Sequence, residues 1–397
     1  MNTILPKFFI PTIAVITVLA PFAIDVSLPS LPSIAIYLST SDNLVQYTIT
    51  VFLLGFALGP LIFGPISDAL GRRKLINISL LSFSIFSFLC AISENIIILL
   101  IFRFFQAVSG SIATVCGRAC LADLLRGNEL AKQLSIIGVL LNLAPILAPI
   151  FGAWLILYLD WQFIYYFMFI CGLLFLIQSF IFIPETLKIE NRITLNFTNI
   201  FKSYKIILTN KVSVLFILFL SSSSAVFFAF LTSSPYIYIE KFSMSPLAYS
   251  YIFGAGACLT LLSNLLVYWL LKYINYRNII TLISILMILN SIILFLGGCQ
   301  ILGRWAIYLP GLTFMALFHI ANVTGLTGLL DLYKKKLKGT ASALAISFRF
   351  AFGMVGSLLV SIFFNSSLWP YIIVVILFTL ITSLSGFISL HLSKNVS

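Results

Sequence analysis

The chain has 397 residues, of which 61% are hydrophobic and 9% are charged, and its formal net charge is +12. A soluble domain carries about 25% charged residues, so this composition excludes a large soluble protein and predicts an integral membrane protein. The positive charge does not indicate nucleic-acid binding. The cations lie at the ends of apolar runs, where they report membrane topology.

Apolar runs of about 20 residues, long enough to cross a bilayer, recur along the chain. They predict an all-α integral membrane protein with twelve transmembrane helices in two six-helix pseudo-symmetric halves. No small-residue cleavage site follows the first run, so we expect it to be retained rather than removed as a signal peptide. The predicted spans are residues 8–37, 44–67, 75–92, 95–124, 131–158, 162–183, 211–239, 247–271, 278–298, 301–330, 338–364 and 369–393.

The first span contains an acid, Asp25, between Pro21 and Pro29. An ionisable side chain at mid-membrane costs about 2.5–3.5 kcal/mol on insertion scales, so it needs a reason to remain. One interpretation is a proton carrier or substrate counter-ion that faces a central cavity, because nearby prolines free backbone groups of the kind that line cavities. The alternative is a structural partner for a buried arginine.

Residues 64–74, with the sequence GPISDALGRRK, join the second and third spans. Short loops rich in Lys and Arg stay on the cytoplasmic side of a membrane. With both termini in the cytoplasm, 18 of the 23 Lys and Arg residues are cytoplasmic and three lie within spans. Only Lys241 and Arg304 fall on the external side of the membrane. This asymmetry predicts the orientation. The cytoplasmic cations are Lys7, Arg72, Arg73, Lys74, Arg126, Lys132, Lys188, Arg192, Lys202, Lys205, Lys211, Lys272, Arg277, Lys334, Lys335, Lys336, Lys338 and Lys394.

Three arginines and one histidine also lie inside spans. Arg103 precedes Gln106 in the fourth span, Arg118 lies nearer the cytoplasmic end of that span, His319 lies in the tenth and Arg349 deep in the eleventh. A lone histidine is more often a hydrogen-bonded packing residue than a switch. Three arginines against one acid would make a water-filled cavity favour anionic or hydrogen-bond-rich substrates over lipophilic cations.

The fifth span combines a polar side chain, Asn142, with Pro145, Pro149 and Gly152. Repeated Pro and Gly in a membrane helix produce bends and close contacts. The last three residues are therefore predicted to form a hinge or seal between the two halves, the alternative being that membrane helices simply tolerate Pro and Gly. The residues assigned to the substrate cavity are Asp25, Arg118, Asn142, His319 and Arg349.

Residues 184–210 form the longest polar stretch, which we interpret as a cytoplasmic linker with a short surface helix near 198–208. The linker separates an N-terminal half, residues 1–183, from a C-terminal half, residues 211–397. The seventh span repeats features of the first, as expected for a transporter built from two parallel repeats. The residues Phe22, Ala23, Ser27 and Pro29 recur 206 positions later as Phe228, Ala229, Ser233 and Pro235.

The chain offers little for enzymatic or metal chemistry. Its six cysteines lack the CxxC spacing of metal sites, and its two histidines do not supply a catalytic constellation. No GxxxxGK[ST] phosphate-binding loop is present in the sequence, which argues against ATP as the energy source. We therefore predict that the protein is not an enzyme, holds no metal or cofactor, and uses the proton gradient as its energy source.

Several motifs point to a family. Residues 64–74 match G-x-x-x-D-x-x-G-R-R-K, the signature between the second and third helices of the major facilitator superfamily. Arg103 and Gln106 resemble its fourth-helix signature, and residues 144–152 resemble a variant of its fifth-helix antiporter motif. Within the superfamily, the chain resembles the bicyclomycin/chloramphenicol-resistance (Bcr/CflA) drug-efflux branch. The matching stretches are APILAPIFG at 144–152, AIDVSLPSLP at 23–32, PETL at 184–187, GTAS at 339–342 and FRF at 348–350.

The resemblance implies proton-coupled antiport by alternating access. It assigns coupling of proton and substrate to Asp25 and a part in proton transfer to Arg103. It also implies a latch for the outward-facing state, in which Asp68 would meet the N-terminal end of the eleventh span and Arg72 would pair with Asp123. The residues of this implied latch are Gly64, Asp68, Gly71, Arg72, Arg73 and Asp123.

We therefore predict a bacterial inner-membrane exporter of small amphiphilic molecules or drugs, which acts as a monomer in the lipid bilayer. The alternative is a dedicated carrier of a polar or carboxylate-rich metabolite such as a siderophore. The arginine excess favours it. Residues 15–22 lack the second acid that one relative carries there, which argues against export of drug cations. A non-transporting membrane receptor or scaffold is a remote alternative, because it would need neither Asp25 nor the loop 64–74.

Overall fold

The structure is a computed structural model that describes residues 8–187, 190, 192, 197–333 and 335–393. It divides into two compact units, Met1–Leu195 and Asn196–Ser397. Four of the cations predicted to be cytoplasmic, Lys7, Lys188, Lys334 and Lys394, lie outside the described residues.

In the N-terminal unit the described residues form eight α-helices. A 3₁₀ segment, Leu28–Ser30, connects the first two helices, and a π-helical segment, Gly59–Phe63, connects the third and fourth. The helices are α1 (Phe9–Asp25), α2 (Leu31–Tyr37), α3 (Asp42–Leu58), α4 (Gly64–Leu70), α5 (Arg72–Ala91), α6 (Ile96–Leu124), α7 (Gly127–Tyr158) and α8 (Gln162–Phe182).

In the C-terminal unit, the part of the chain that the structure describes forms seven further α-helices, with a π-helical segment, Tyr236–Lys241, after the second of them. The helices are α9 (Phe197–Thr209), α10 (Lys211–Pro235), α11 (Pro246–Leu270), α12 (Tyr276–Gly298), α13 (Trp305–Asp331), α14 (Lys335–Ile362) and α15 (Trp369–Ser393).

Twelve helical runs among the described residues are long and apolar enough to cross a membrane, which confirms the predicted fold class. Their limits fall within a few residues of the predicted ones. The helix α9 is the short helix predicted near 198–208, and it does not belong to the twelve.

The first, second and seventh spans are not α-helical throughout. Each run contains an irregular segment beside or including a proline, namely Pro29, Pro60 or Pro235. Proline has no backbone N–H and cannot donate to the carbonyl four residues earlier, so the α-helical ladder is interrupted there. The first span consequently ends its α-helix at Asp25 and resumes it only at Leu31.

The loop between the second and third spans is also shorter than predicted. Residues 68–74 lie between the predicted spans, but α4 continues to Leu70 and α5 begins at Arg72. Only Gly71 lies outside both helices, with a φ of 99° that favours glycine. The charged residues of the motif therefore project from helix ends and not from a flexible loop.

Small residues bring α1 close to α6. Gly110 lies against Ala20, and Gly117 lies against Thr17, so the two helices run antiparallel. Pro21 cannot donate to the Thr17 carbonyl, and the hydroxyl of Thr114 on α6 donates to that oxygen at 3.2 Å instead. A polar group that α1 leaves unsatisfied is thus satisfied by α6, as the membrane interior requires.

Gly152 brings α7 against the irregular part of the first span. A Cβ placed on Gly152 would collide with the carbonyl oxygen of Val26. Only a residue without a side chain fits there, so this glycine fixes the distance between α7 and the end of α1.

The residues that recur 206 positions apart in the two units differ in backbone conformation. In the first span the helix ends before Ser27, whereas α10 continues through Ser233 to Pro235. Pro235 frees the Leu231 carbonyl, and the Ser234 hydroxyl donates to it at 3.0 Å. The acid Asp25 therefore stands at a helix end, while its counterpart Leu231 stands within a helix.

We expect Gly152→Ala to destabilise the protein, because the new methyl group overpacks the Val26 carbonyl at a cost of about 1–3 kcal/mol. Gly138→Ala is the matched control in the same helix, because a Cβ on Gly138 meets no atom within 4 Å. Thermal unfolding in detergent should show a lower melting temperature for Gly152→Ala only. Equal melting temperatures for the two variants would contradict the close contact.

Candidate functional site

Asp25 is the last residue of α1 and is buried, with 6% of its surface exposed. Pro29, which has no N–H, cannot extend the helix past it. The next amides fold back, with Val26 N–H donating to Phe22 O at 3.0 Å and Ser27 N–H donating to Ile24 O at 3.2 Å. Within the described part of the chain, the Asp25 carboxyl forms no ion pair and no hydrogen bond.

Arg103 on α6 is fully buried, with 0% of its surface exposed. Its Nη1 donates to Gln106 Oε1 at 2.8 Å and to Ala23 O at 3.4 Å, and its Nη2 donates to Ser27 Oγ at 3.4 Å. These contacts lie on either side of Asp25 along the first span. The arginine therefore holds the break in that span from both sides without an ion pair to Asp25 among the described residues.

Two aromatic rings complete the surroundings of the guanidinium. Its carbon lies 4.5 Å from the centroid of Phe52 on α3 and 5.5 Å from that of Tyr165 on α8. The negative face of an aromatic ring attracts a cation, and this attraction is strongest where water is excluded. The charge of Arg103 is consequently stabilised by carbonyl, hydroxyl, amide and ring groups.

Gln106 is itself held in place. Its Nε2 donates to Ser87 Oγ on α5 at 2.7 Å, and the Ser87 hydroxyl donates to Phe83 O at 2.7 Å. The predicted Arg103 and Gln106 signature thus links α1, α5 and α6. Ser87, Phe52 and Tyr165 could not be identified from the sequence, because serines and aromatics are abundant in this chain and none of the three stands in a motif.

The other predicted cavity residues of this unit lie apart from Asp25. Arg118 follows Gly117, which lies against Thr17 and Ile13, so the arginine is level with the early part of α1. Twelve residues at 1.5 Å per residue put it roughly 18 Å from Asp25 along the helix axis. Asn142 on α7 donates to Gly138 O at 2.9 Å. Arg118 and Asn142 are both half-buried.

In the C-terminal unit, the structure brings His319 on α13 and Arg349 on α14 within electrostatic reach of each other. The guanidinium of Arg349 lies 4.8 Å from the centroid of Phe350. The neighbour of His319, Phe318, stacks on Phe227 of α10 with ring centroids 4.5 Å apart. The two residues predicted from separate spans therefore lie near each other, beside aromatic rings.

A run of serines on α10 connects this unit internally. Asn322 Nδ2 donates to Ser223 Oγ at 3.3 Å, and Thr382 Oγ1 donates to Ser222 Oγ at 2.8 Å. Hydrogen bonds between membrane helices are worth about 0.6–2 kcal/mol each. The sequence analysis gave these serines no role, although their spacing within one span was visible.

The latch residues of the N-terminal unit lie around Gly71. Arg72 forms an ion pair with Asp68, donates to the Ser67 hydroxyl, and donates from Nε to Asp123 Oδ2 at 3.2 Å. The predicted pair of Arg72 and Asp123 is thus present. The meeting of Asp68 with the eleventh span stays a prediction.

Glu185, which the sequence analysis placed in the linker, lies instead against this turn. Its Oε1 accepts from the Arg72 backbone N–H at 3.0 Å, and a Cβ on Gly71 would meet its Oε2 at 2.5 Å. The next residue, Thr186, donates to Asp123 Oδ2 at 2.9 Å. The start of the predicted linker is therefore part of the latch, because a carboxylate at a helix N-terminus satisfies unpaired amides.

Two further latch residues differ in their surroundings. Arg73 donates from Nη2 to Phe180 O at 2.7 Å, which ties α5 to α8. A Cβ on Gly64 would meet no atom within 4 Å, so no described contact requires glycine there.

The predicted hinge residues Pro145 and Pro149 lie within α7, which is continuous through both, and the hinge stays a prediction. Among the described residues, no group of three or more His, Cys, Asp or Glu side chains could hold a metal ion.

The chain is similar to known membrane transporters. The family model described as Major Facilitator Superfamily matches residues 13–357. The chain is 39% identical over 183 residues to an uncharacterized MFS-type transporter of Bacillus subtilis (strain 168), with 46% of each chain covered. It is 34% identical over 203 residues to a bicyclomycin resistance protein homolog of Haemophilus influenzae, with 51% of each covered. The chain thus spans about half the length of the curated relatives it matches.

Among solved structures, that of a D-xylose–proton symporter is similar with a TM-score of 0.75. The likeness covers 94% of this chain and 96% of that chain at 15% sequence identity. At this identity the likeness shows the fold alone.

We expect Gly71→Ala to lower the melting temperature, because its φ is unfavourable for alanine and its methyl group would press on the Glu185 carboxylate. Backbone strain of this kind costs about 1–3 kcal/mol. Gly64→Ala, in the same motif, is the control and should unfold like the wild type. A Gly71→Ala protein as stable as Gly64→Ala would show that the turn does not need glycine.

Proposed function

Because the chain belongs to the major facilitator superfamily, we propose that it is a proton-coupled antiporter that exports small amphiphilic molecules across the bacterial inner membrane. Superfamily membership makes it a multi-pass membrane transporter and not an enzyme. The observation that carries the proposal of proton coupling is Asp25, a buried carboxyl without a counter-ion among the described residues, at the end of a broken helix. The similarity to a bicyclomycin resistance protein homolog supports export of drug-like molecules.

The buried position of Asp25 is suitable for a carboxyl that gains and loses a proton during transport. An isolated carboxylate is costly in an apolar interior, whereas the neutral acid is far less so. In one half of the cycle the Asp25 carboxylate takes a proton from the outside, and in the other half it releases that proton to the cytoplasm. Substrate leaves in exchange, so one site serves both cargoes in turn.

Arg103 is proposed to support the deprotonated state. It bonds to Ala23 O and Ser27 Oγ, on either side of Asp25. A small rearrangement of residues 26–30 would bring the carboxylate and the guanidinium together, because this segment lacks the continuous α-helical ladder. The charge of the arginine would then offset that of the acid for as long as the proton is absent.

The latch is proposed to stabilise one conformation of the transport cycle. The ion pairs of Arg72 with Asp68 and Asp123, and the bond from its backbone N–H to Glu185, hold α4, α5, α6 and the segment after α8 together. We place this cluster and both termini on the cytoplasmic side, in accord with the distribution of Lys and Arg. A monomer in the lipid bilayer suffices for the mechanism.

A second candidate is a dedicated carrier of a polar or carboxylate-rich metabolite such as a siderophore. The observation that favours it is the Arg349 guanidinium, which lies beside the Phe350 ring and near His319 in the C-terminal unit. A guanidinium in such surroundings suits an anionic ligand better than a lipophilic cation. Transport of matched anionic and cationic substrates distinguishes the two candidates.

The proposal predicts that Asp25→Asn abolishes transport driven by a pH gradient while the protein stays folded. The measurement is uptake into proteoliposomes of a substrate panel that includes bicyclomycin, with an imposed pH gradient and with the gradient collapsed. Asp160→Asn is the matched control, because Asp160 is exposed between α7 and α8. We expect at least a tenfold loss for Asp25→Asn and wild-type rates for Asp160→Asn. Transport by Asp25→Asn with the wild-type pH dependence would refute the role of this acid.

A further inference from the structure

The C-terminal unit contains a cavity of about 380 Å³ at one end of its spans. The cavity lies where the π-helical segment after α10 ends, where α12 ends, and where α13 and α15 begin. Its polar and aromatic lining includes Lys241, Phe242, Gln300, Arg304, Ser367 and Trp369.

Both cations in this lining are exceptions to the charge distribution of the chain. Lys241 and Arg304 are the two cations that the sequence places on the opposite side of the membrane from the 18 others. None of the residues that line the cavity is acidic, and Glu240, which precedes Lys241, is exposed and lies outside the lining. Arg304 is held over the ring of Phe242, with its guanidinium carbon 5.6 Å from the centroid. Two positive charges thus converge on one concave site.

The backbone adds to the positive potential. The N-termini of two long helices, α13 and α15, open at the cavity, and Arg304 at the N-cap of α13 makes no side-chain cap hydrogen bond. Helix N-termini carry partial positive charge. Here Ala306 N–H donates to Gly303 O at 2.9 Å and Trp369 N–H to Ser367 Oγ at 3.3 Å, so the contribution of these termini is mainly their dipole. Two carbonyls at the C-terminal end of α12 are already occupied, because Cys299 N–H donates to Phe295 O at 2.9 Å and Ile301 N–H donates to Leu296 O at 3.1 Å.

The level of the cavity in the membrane is marked by tryptophans. Trp305 is 51% exposed and Trp369 is 40% exposed, and tryptophan concentrates at the membrane–water interface. Each is followed one helical turn later by an exposed apolar residue, Leu309 on α13 and Ile373 on α15. The cavity therefore lies at headgroup depth, with apolar surface for acyl chains directly beside it.

We propose that this cavity binds the phosphate group of an anionic phospholipid headgroup. The phosphate accepts hydrogen bonds from Lys241 and Arg304 and lies at the N-termini of α13 and α15, while the acyl chains run along Leu309 and Ile373. Such a lipid would contact the ends of α10, α12, α13 and α15 and stabilise their packing.

The test uses the purified full-length protein in detergent, titrated with phosphatidylglycerol, with phosphatidylcholine of the same acyl chains, or with inorganic phosphate. The variant is the double substitution Lys241→Gln and Arg304→Gln. The matched control is Lys272→Gln with Arg277→Gln, which removes two cations beside the start of α12, at its other end. Melting temperature is measured together with the number of lipids retained in native mass spectrometry.

We expect phosphatidylglycerol, but not phosphatidylcholine, to raise the melting temperature of the wild type and of the control. The cavity variant should lose at least half of that shift and retain fewer phosphatidylglycerol molecules. Lipid retention is counted only in the low charge states of the native mass spectrum, which belong to folded protein, so a general loss of stability cannot imitate this result. Equal shifts and equal lipid retention in the two double variants would overturn the proposal. An equal shift with inorganic phosphate alone would overturn the assignment to lipid.

Discussion

Arg103 places a positive charge inside the N-terminal unit with no carboxylate paired to it among the described residues, and the packing around it makes that charge tolerable. A charged side chain at mid-membrane costs about 2.5–3.5 kcal/mol on insertion scales. Here a carbonyl oxygen from α1, a serine hydroxyl, a glutamine amide and two aromatic rings share the charge. The carbonyl belongs to Ala23 in the last turn of α1 and the hydroxyl to Ser27 just after α1 ends, so the guanidinium bridges the break in the first span.

This arrangement places Asp25 where an acid can serve a transport cycle. A direct pair with Arg103 would hold the carboxylate in its charged form, whereas a position within a continuous helix would fix its surroundings. The break after α1 produces neither situation. Arg103 bonds to Ala23 O and Ser27 Oγ, on either side of Asp25, but not to the Asp25 carboxyl. Gly152 also contributes to this site, because its lack of a side chain lets α7 pack against the Val26 carbonyl.

Arg72, unlike Arg103, has its charge stabilised by carboxylate partners. It lies at the start of α5, where it pairs with Asp68 and Asp123, and its backbone N–H donates to Glu185. Paired charges at a helix end form a discrete contact that can be made or broken as a unit, which suits a latch. Among the described residues, Arg103 thus has no carboxylate partner and Arg72 has two, which is why we propose coupling for the first and conformational control for the second.

The spans, the position of α9 and the pair of Arg72 with Asp123 could be predicted from the sequence, because apolar length, polarity and a specific motif report them. The break at residues 26–30 could be suspected from Pro29, but hydropathy does not show where backbone hydrogen bonds go. Glu185 was missed because a polar residue after a span is typical of a linker. Phe52 and Tyr165 were missed because a ring beside a cation is a tertiary contact between distant helices.

The most direct test of the account is deuterium exchange of the backbone amides in residues 22–31, compared between the wild type and Arg103→Met. If Arg103 holds the break in the first span, its loss should speed exchange at Val26, Ser27 and Ser30 at least tenfold, or about 1.4 kcal/mol of local stability. Residues 228–234 of the C-terminal unit, which lie within α10, should exchange as before. Unchanged exchange at residues 22–31, or equal acceleration in both segments, would contradict the account.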